Sequence, residues 1–311
     1  FLLEQIAIAA LLAVSLGMVV GFLGELSLGC SEVDLNDLLA CHLACVFNGS
    51  FNSDFIAVYL CARACVKGGI GKTTTATALA GGLMAAGKKV LFVDADPQRN
   101  SSDTYRANLS AGSPTLADLL YTNAPAKECV QHTEVGDILA GDKALSDVDK
   151  YLKGVAGYFR LKNRLEELAP EYDHIIIDTN PHILLLLQNA LIASEGVVIP
   201  VACGRYEVSG MVDFAQTIDE VKLQPNPGLK VLGLLLVKYD GRTNLAKDVL
   251  EELPDVAAAL GTTVFKTKIR QTVKVTEAQG QRMLLQEYAP DCTATKDYFE
   301  FIDELHSGGI V

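Results

Sequence analysis

Residues 67–74 read Lys-Gly-Gly-Ile-Gly-Lys-Thr-Thr. The glycines allow the positive φ angles and the close backbone approach by which several N–H groups converge on anionic oxygens. A helix predicted to begin near Thr73 directs the positive end of its dipole at the same point. Lys72 supplies a positive charge for the β- and γ-phosphates, and the hydroxyl of Thr73 suits Mg²⁺. The segment therefore predicts a phosphate-binding loop followed by a helix.

The sequence beyond this loop alternates short apolar runs with amphipathic stretches. Strands are predicted at Val90–Val93, His174–Ile177, Gly196–Pro200 and Leu229–Val237. Helices are predicted at Thr73–Ala86, Tyr158–Leu168, Ile183–Ala193, Val208–Val221, Asn244–Leu253 and Ala294–Leu305. Continuously apolar strands are typical of a sheet that is covered on both sides. The fold class is therefore predicted to be α/β: a P-loop NTPase with a mostly parallel twisted sheet and helices on both faces.

Three carboxylates follow predicted strands. Asp94 and Asp96 come at the end of the strand that begins at Val90, and Asp178 ends the run that begins at His174. In open parallel sheets the ligand-binding residues gather at the carboxyl ends of the strands. The three carboxylates are therefore candidate ligand-binding residues. For Asp96, the alternative interpretation is a helix N-cap.

Four ordered segments resemble the ParA/MinD group of deviant Walker A ATPases, and the ParA branch most closely. They are KGGIGKTT at 67–74, VLFVDADPQRN at 90–100, HIIIDTNP at 174–181 and VFKTKIRQTVKVTEAQ at 264–279. The resemblance extends from about Lys67 to Leu305. It implies ATP and Mg²⁺ as cofactors.

The resemblance also implies roles for individual residues. Lys67 would reach across a dimer to the partner's phosphates, and Asp96 would position or activate the attacking water, so the implied catalytic residues are Lys67, Lys72 and Asp96. Magnesium would be held by Thr73, Asp94 and Asp178, with Asp178 as the Walker B acid. The implied nucleotide-binding residues are Lys67, Gly68, Gly69, Ile70, Gly71, Lys72, Thr73 and Thr74.

Two residues depart from the family pattern after the Walker B acid. The usual T-P-P-S is here Thr179-Asn180-Pro181-His182. The loop senses the γ-phosphate in relatives, so Asn180 and His182 bear on switching rather than on the metal site. His182 is interpreted as a loop residue without a catalytic role.

The chain ends KDYFEFIDELHSGGIV, which is acidic and lacks the basic face of a MinD-type membrane helix. The prediction is a cytoplasmic, nucleoid-associated DNA-partitioning ATPase. It would dimerise on binding ATP, bind DNA nonspecifically and hydrolyse ATP faster with a centromere-binding ParB-like partner. The alternative is a membrane-associated, MinD-like positioning ATPase without a DNA role.

Charge is unevenly distributed along the chain. The net charge is -12, from 38 acidic and 26 basic residues, which excludes a uniformly basic DNA-binding surface. Residues 1–60 hold six of the acids and no lysine or arginine. Five basic residues are proposed as the DNA contact, with Glu277 the sole acid among them: Lys266, Lys268, Arg270, Lys274 and Arg282. An ordinary solvated basic face is the alternative.

Residues 1–54 are predicted to be a separate hydrophobic, cysteine-rich segment, and residues 55–311 the ATPase domain. The run at 5–24 carries no charge and is long enough for a membrane helix, but non-native sequence is an alternative. The cysteine pairs at 41/45 and 61/65 have the spacing of a metal site, but the interpretation as buried apolar residues is favoured. The first strand of the sheet must lie within 55–66.

Overall fold

The structure is a computed structural model that describes residues 56–60, 71–180, 182–203 and 207–308, with the backbone alone for 56–60 and 207–213. The predicted membrane run at 5–24, the cysteine pairs and residues 67–70 of the phosphate loop lie outside the described residues. Within the described ranges, none of the helices combines the length and apolarity needed to span a bilayer.

The described residues form one sheet of eight strands. In chain order these are β1 (Ile56–Leu60), β2 (Val90–Ala95), β3 (Gln131–His132), β4 (Asp137–Leu139), β5 (His174–Thr179), β6 (Gly196–Ala202), β7 (Lys230–Tyr239) and β8 (Val264–Arg270). The strand order is β3-β4-β2-β5-β1-β6-β7-β8. Every pairing is parallel except that of β3 with β4. The carboxyl ends of the parallel strands therefore meet at one edge.

Helices cover both faces of the sheet. They are α1 (Lys72–Ala85), α2 (Asn100–Thr104), α3 (Leu116–Tyr121), α4 (Val148–Tyr151), α5 (Gly154–Tyr158), α6 (Arg160–Glu166), α7 (Leu184–Ala193), α8 (Glu207–Leu223), α9 (Asn244–Ala259), α10 (Val273–Gly280), α11 (Leu285–Tyr288) and α12 (Thr293–Ser307). Short 3-10 turns occur at Ala126–Cys129, Lys143–Asp147 and Ala169–Glu171. This architecture confirms the predicted fold class.

The central strands are buried along their whole length. All residues of β2, β5 and β6 are buried, as their unbroken apolar runs predicted. Strand β1 fills the position between β5 and β6, so the segment 55–66 does supply a central strand, at Ile56–Leu60.

Helix α1 is central to the fold because it starts at the phosphate loop and continues through the core. Gly71 precedes it with φ 103°, a backbone conformation that residues other than glycine rarely adopt. Further along, Gly82 allows close packing against α12, since a Cβ there would come within 2.1 Å of Ile302 Cδ1. The start of α1 is thus held by its backbone conformation and its middle by packing.

Strand β8 has no counterpart among the predicted strands. Its buried residues alternate with exposed or partly buried ones. Lys266, Lys268 and Arg270 interrupt the apolar pattern, so the sequence did not predict this strand. On this edge of the sheet, Glu304 of α12 accepts hydrogen bonds from the backbone N–H groups of Lys266 (2.8 Å) and Thr267 (3.0 Å). Side-chain carboxylates thereby satisfy donors that an edge strand leaves without a neighbouring strand.

Helix α9 is longer than predicted. The expected end was Leu253, because Pro254 lacks an N–H and usually stops a helix. The helix instead continues through Pro254 to Ala259. A buried apolar stripe of Ala246, Val249, Leu253 and Ala257 runs the length of the helix, and its packing outweighs the local effect of the proline.

Candidate active site

A cavity of 690 Å³ opens where the strands end. One part of its lining is Gly71 with the first residues of α1, and a second part is Asp96 after β2 and Asn180 after β5. The opposite wall comes from the end of β8 and from α10, including Thr272, Val275, Thr276 and Gln279. A volume of several hundred cubic ångströms is typical of sites that take small molecules and nucleotides.

The register of β2 and β5 brings two of the predicted carboxylates together. Asp94 and Asp178 are paired residues of these adjacent parallel strands, and both side chains are buried. The charge of Asp178 therefore disfavours the ionised form of Asp94 in this buried position.

Both carboxylate oxygens of Asp94 accept hydrogen bonds from nearby residues of the chain. Its Oδ2 accepts hydrogen bonds from Ser102 N (2.8 Å) and Ser102 Oγ (2.6 Å), and its Oδ1 accepts one from Asp96 N at 3.2 Å. Burial, followed by the charge of Asp178, raises the pKa of Asp94 to about 7. Asp94 thus fixes the turn between β2 and α2, and within the described residues it is not part of the cavity wall.

Among the described residues, only one of the two carboxylate oxygens of Asp178 has a hydrogen-bond partner. Its Oδ2 accepts a hydrogen bond from Ser101 Oγ at 2.7 Å, and the hydroxyl of Thr73 favours the ionised form of this carboxylate. Burial raises the pKa of Asp178 to about 6, although the hydroxyls of Ser101 and Thr73 oppose the rise. Oδ1 is buried and accepts no hydrogen bond from the described residues.

Asp96 lies in the cavity wall and is held from two sides. Its Oδ1 accepts hydrogen bonds from Gln98 N and from Asn180 Nδ2, each at 2.9 Å. The first closes a local turn, and Arg99 rather than Asp96 is the N-cap residue of α2. The helix-cap interpretation of Asp96 is therefore wrong.

The proposed DNA contact lies on two neighbouring elements. Lys266, Lys268 and Arg270 alternate along β8, and Lys274 is on the next helix, α10. Arg270 makes a two-pronged ion pair with Asp297 of α12, through its Nε at 3.0–3.1 Å and its Nη2 at 2.5 Å. The net charge around this surface is therefore less positive than the five bases and Glu277 alone would give, since Asp297 and Glu304 of α12 lie beside β8.

Lys274 and Arg282 also have acidic neighbours. Lys274 Nζ lies 2.7 Å from Glu277 Oε2, and Arg282 lies 4.0 Å from Asp103. Both pairs are solvent-exposed, and such pairs contribute little to stability, so both cations are available to another anion.

Similarity to known proteins places the chain in a family. Residues 59–231 match the profile of the AAA_31 family, described as an AAA domain. The chain is 34% identical over 248 residues to the chromosome partitioning protein ParA of Caulobacter vibrioides, covering 78% of this chain and 91% of that protein. It is 33% identical over 246 residues to the sporulation initiation inhibitor protein Soj of Bacillus subtilis, covering 78% and 96%.

The chain belongs to the ParA/Soj family of partitioning ATPases. A solved structure agrees with the nucleotide chemistry: cobyrinic acid a,c-diamide synthase from Mycobacterium smegmatis, with bound ATP analogue and magnesium, has a TM-score of 0.71 and 27% identity. The match covers 82% of this chain and 95% of that one. The sequence prediction of a P-loop ATPase is confirmed.

The residues at the cavity fit the magnesium ion that ParA/Soj ATPases imply. Mg²⁺ prefers oxygen ligands and keeps several waters. The Thr73 hydroxyl and the unpartnered Oδ1 of Asp178 supply such oxygens, directly or through water. In the described residues, no three Asp, Glu, His or Cys side chains converge as a metal site. The ion would therefore depend on nucleotide oxygens and water for its other ligands.

The buried charge of Asp178 predicts a gain in stability from its removal. The folded-state pKa of about 6 lies above the ordinary 3.8, so the folded protein takes up the proton first and its stability falls as pH rises through this window. With nucleotide and Mg²⁺ absent, Asp178→Asn should stabilise the fold by about 1–2 kcal/mol at about pH 8, after allowing for an amide N–H₂ without an acceptor.

Thermal denaturation at about pH 8 and about pH 4 checks this, because the gain should vanish in acid. The matched control is Asp149→Asn on the exposed side of α4, which should change neither midpoint. A lower midpoint for Asp178→Asn at both pH values would contradict the expectation.

Sequence reasoning missed three side chains of this ParA/Soj site. Ser101 and Ser102 directly follow the motif at 90–100 and bind Asp178 and Asp94. Their hydroxyls so close to the acidic motif were a usable signal. Gln279 donates from Nε2 to Thr74 Oγ1 at 3.0 Å across 205 positions, and no local pattern announces that contact.

Proposed function

We propose that this ATPase partitions DNA by cycling between an ATP-bound dimer and free monomers. ATP and Mg²⁺ bind in the cavity, where Lys72 contacts the phosphates and Lys67 reaches the phosphates of a second copy. The dimer binds DNA without sequence preference. A centromere-binding partner accelerates hydrolysis, and the separated monomers leave the DNA. The similar protein of Caulobacter vibrioides is named as a chromosome partitioning protein, which supports the partitioning role.

The observation that carries the proposal is the position of α10. Val275, Thr276 and Gln279 of this helix line the cavity, and Gln279 is hydrogen-bonded to Thr74 of the phosphate-loop helix. Lys274, on the same helix, is exposed. We expect a change at the nucleotide to be transmitted to Lys274 through this helix, in the manner of switches governed by a γ-phosphate.

The charges of this surface set an expected salt dependence. Arg270 is held by Asp297, which leaves four basic side chains for phosphate contacts: Lys266, Lys268, Lys274 and Arg282. At about 0.9 per contact, the slope of log affinity against log salt should be roughly -3 to -4 per subunit. Acids elsewhere on the chain do not oppose this local binding when salt is moderate.

Reversing the charge of Lys274 tests the DNA role. Lys274→Glu removes one phosphate contact and places a negative charge beside Glu277, so DNA affinity should fall at least tenfold in low salt and the salt slope should decrease by about one. A gel-shift or anisotropy titration with ATP, at several salt concentrations, measures both.

The matched control is Lys143→Glu. Lys143 is exposed and follows β4, near the opposite edge of the sheet from β8. Its reversal gives the same change in net charge and should leave the slope unchanged. Equal DNA binding by Lys274→Glu and the unmodified protein would overturn the proposed contact. Equal losses of affinity in Lys274→Glu and Lys143→Glu would also overturn it, because they would show a general effect of net charge.

A further inference from the structure

Asn180 stands where the family has proline, and its side chain links the two strands that carry the site. Nδ2 donates to Asp96 Oδ1 at 2.9 Å, across the ends of β5 and β2. Oδ1 accepts from the backbone N–H of His182, also at 2.9 Å. The backbone N–H of Asn180 itself donates to Ala95 O at 3.4 Å.

The orientation of this amide follows from its partners. A backbone N–H only donates, so the atom facing His182 must be the amide oxygen. The N–H₂ group must then face Asp96, whose carboxylate accepts. Proline, with no side-chain donor, cannot make the bond to Asp96.

The two oxygens of Asp96 are unequally occupied. Oδ1 accepts from both Gln98 N and Asn180 Nδ2. Within the described residues, no hydrogen bond reaches Oδ2, and the side chain borders the cavity. Two donors on one oxygen restrict the rotation of the carboxylate and leave the other oxygen to accept a proton or a hydrogen bond from water.

We propose that Asn180 is a positioning residue for ATP hydrolysis: by holding Oδ1 of Asp96, it presents Oδ2 to the attacking water. This inference rests on the proposed role of Asp96 as the group that positions or activates that water. Asn180 itself contacts neither water nor phosphate in this scheme. Its amide, which follows the neighbouring strand β5, holds the carboxylate of Asp96 in a fixed orientation.

The decisive variant is Asn180→Asp. The new carboxylate still accepts from the N–H of His182, so the local turn is kept, but it faces Asp96 with an acceptor instead of a donor. Single-turnover hydrolysis should slow at least about tenfold, since displaced catalytic groups lose rate steeply with distance. The affinity for a non-hydrolysable ATP analogue should change less than about twofold. Asn180→Ala, which removes both side-chain bonds, should show the same division between rate and affinity.

Asn108→Asp is the matched control. Asn108 Oδ1 accepts from Ser110 N at 3.1 Å in the same type of local turn, but on an exposed loop outside the cavity wall. The identical chemical change there should leave hydrolysis at the rate of the unmodified protein.

A double-mutant cycle separates positioning from a general structural effect. If Asn180 acts through Asp96, adding Asn180→Asp to Asp96→Ala should cause no further loss of rate. A full additional loss in the double variant, or unchanged or faster hydrolysis by Asn180→Asp alone, would overturn the inference. Normal turnover by Asp96→Ala would instead overturn the role of Asp96. Slow Asp96→Ala with normal Asn180→Asp would remove only the role of Asn180.

Discussion

Replacing Lys72 by alanine should weaken ATP binding at least about 100-fold and abolish hydrolysis. Lys72 is the first residue of α1 and borders the cavity beside Thr73 and Thr74. Removing a cation from a charge-assisted contact with phosphate costs about 2–5 kcal/mol, because the anion is left without its partner. A titration with a fluorescent ATP analogue measures the affinity, and phosphate release measures the rate.

Lys88→Ala provides the control for this loss. Lys88 is an exposed lysine just beyond the far end of the same helix, about 20 Å from Lys72 at 1.5 Å per helical residue. Its removal changes the net charge equally and should leave the ATP affinity within about twofold, as is usual for exposed side chains away from a site. Unchanged affinity in Lys72→Ala would contradict the phosphate role of this lysine.

Asp96→Ala should separate binding from hydrolysis. The side chain borders the cavity and is held at Oδ1 by two donors, so its loss removes an acceptor for the attacking water without removing a phosphate contact. ATP affinity should stay within about threefold, whereas single-turnover hydrolysis should fall by a factor of about 100 or more.

A second consequence of Asp96→Ala concerns assembly. If ATP joins two copies, a variant that binds ATP and hydrolyses it slowly should accumulate as a dimer. Size-exclusion chromatography with light scattering, in ATP and Mg²⁺, measures this directly. Asp255→Ala, on the exposed side of α9, is the control and should behave as the unmodified protein. Turnover at the normal rate in Asp96→Ala would refute its assignment.

Much of the site could be predicted because its parts are short and local. A run of glycines before Lys72 and Thr73 requires neither a partner strand nor a distant contact to be recognised. Asp96 and Asp178 each come shortly after a run of apolar strand residues, and parallel strands bring their carboxyl ends to one edge. Such features lie within short stretches of sequence, and they are sufficient to indicate the family without any knowledge of contacts.

The parts that escaped prediction depend on register and long-range packing. The hydrogen bond from Gln279 to Thr74 exists because α10 returns to the beginning of α1. Strand β8 escaped because Lys266, Lys268 and Arg270 break the apolar pattern, although Glu304 and Asp297 of α12 accept hydrogen bonds from its backbone. Neither feature can be inferred from a local window, since each needs two segments placed side by side.

The sequence by itself determined the phosphate loop, the α/β class, the family and the order of the acidic motifs, since all of these follow from residue type and spacing along the chain. Only the tertiary structure decided how the acids differ. Strand register buries Asp94 beside the donors of Ser102 and sets Asn180 against Asp96, and it leaves Asp178 with one oxygen that has no partner among the described residues. Burial and hydrogen-bond partners control the chemistry of a carboxylate, and both are properties of neighbours in space rather than in sequence.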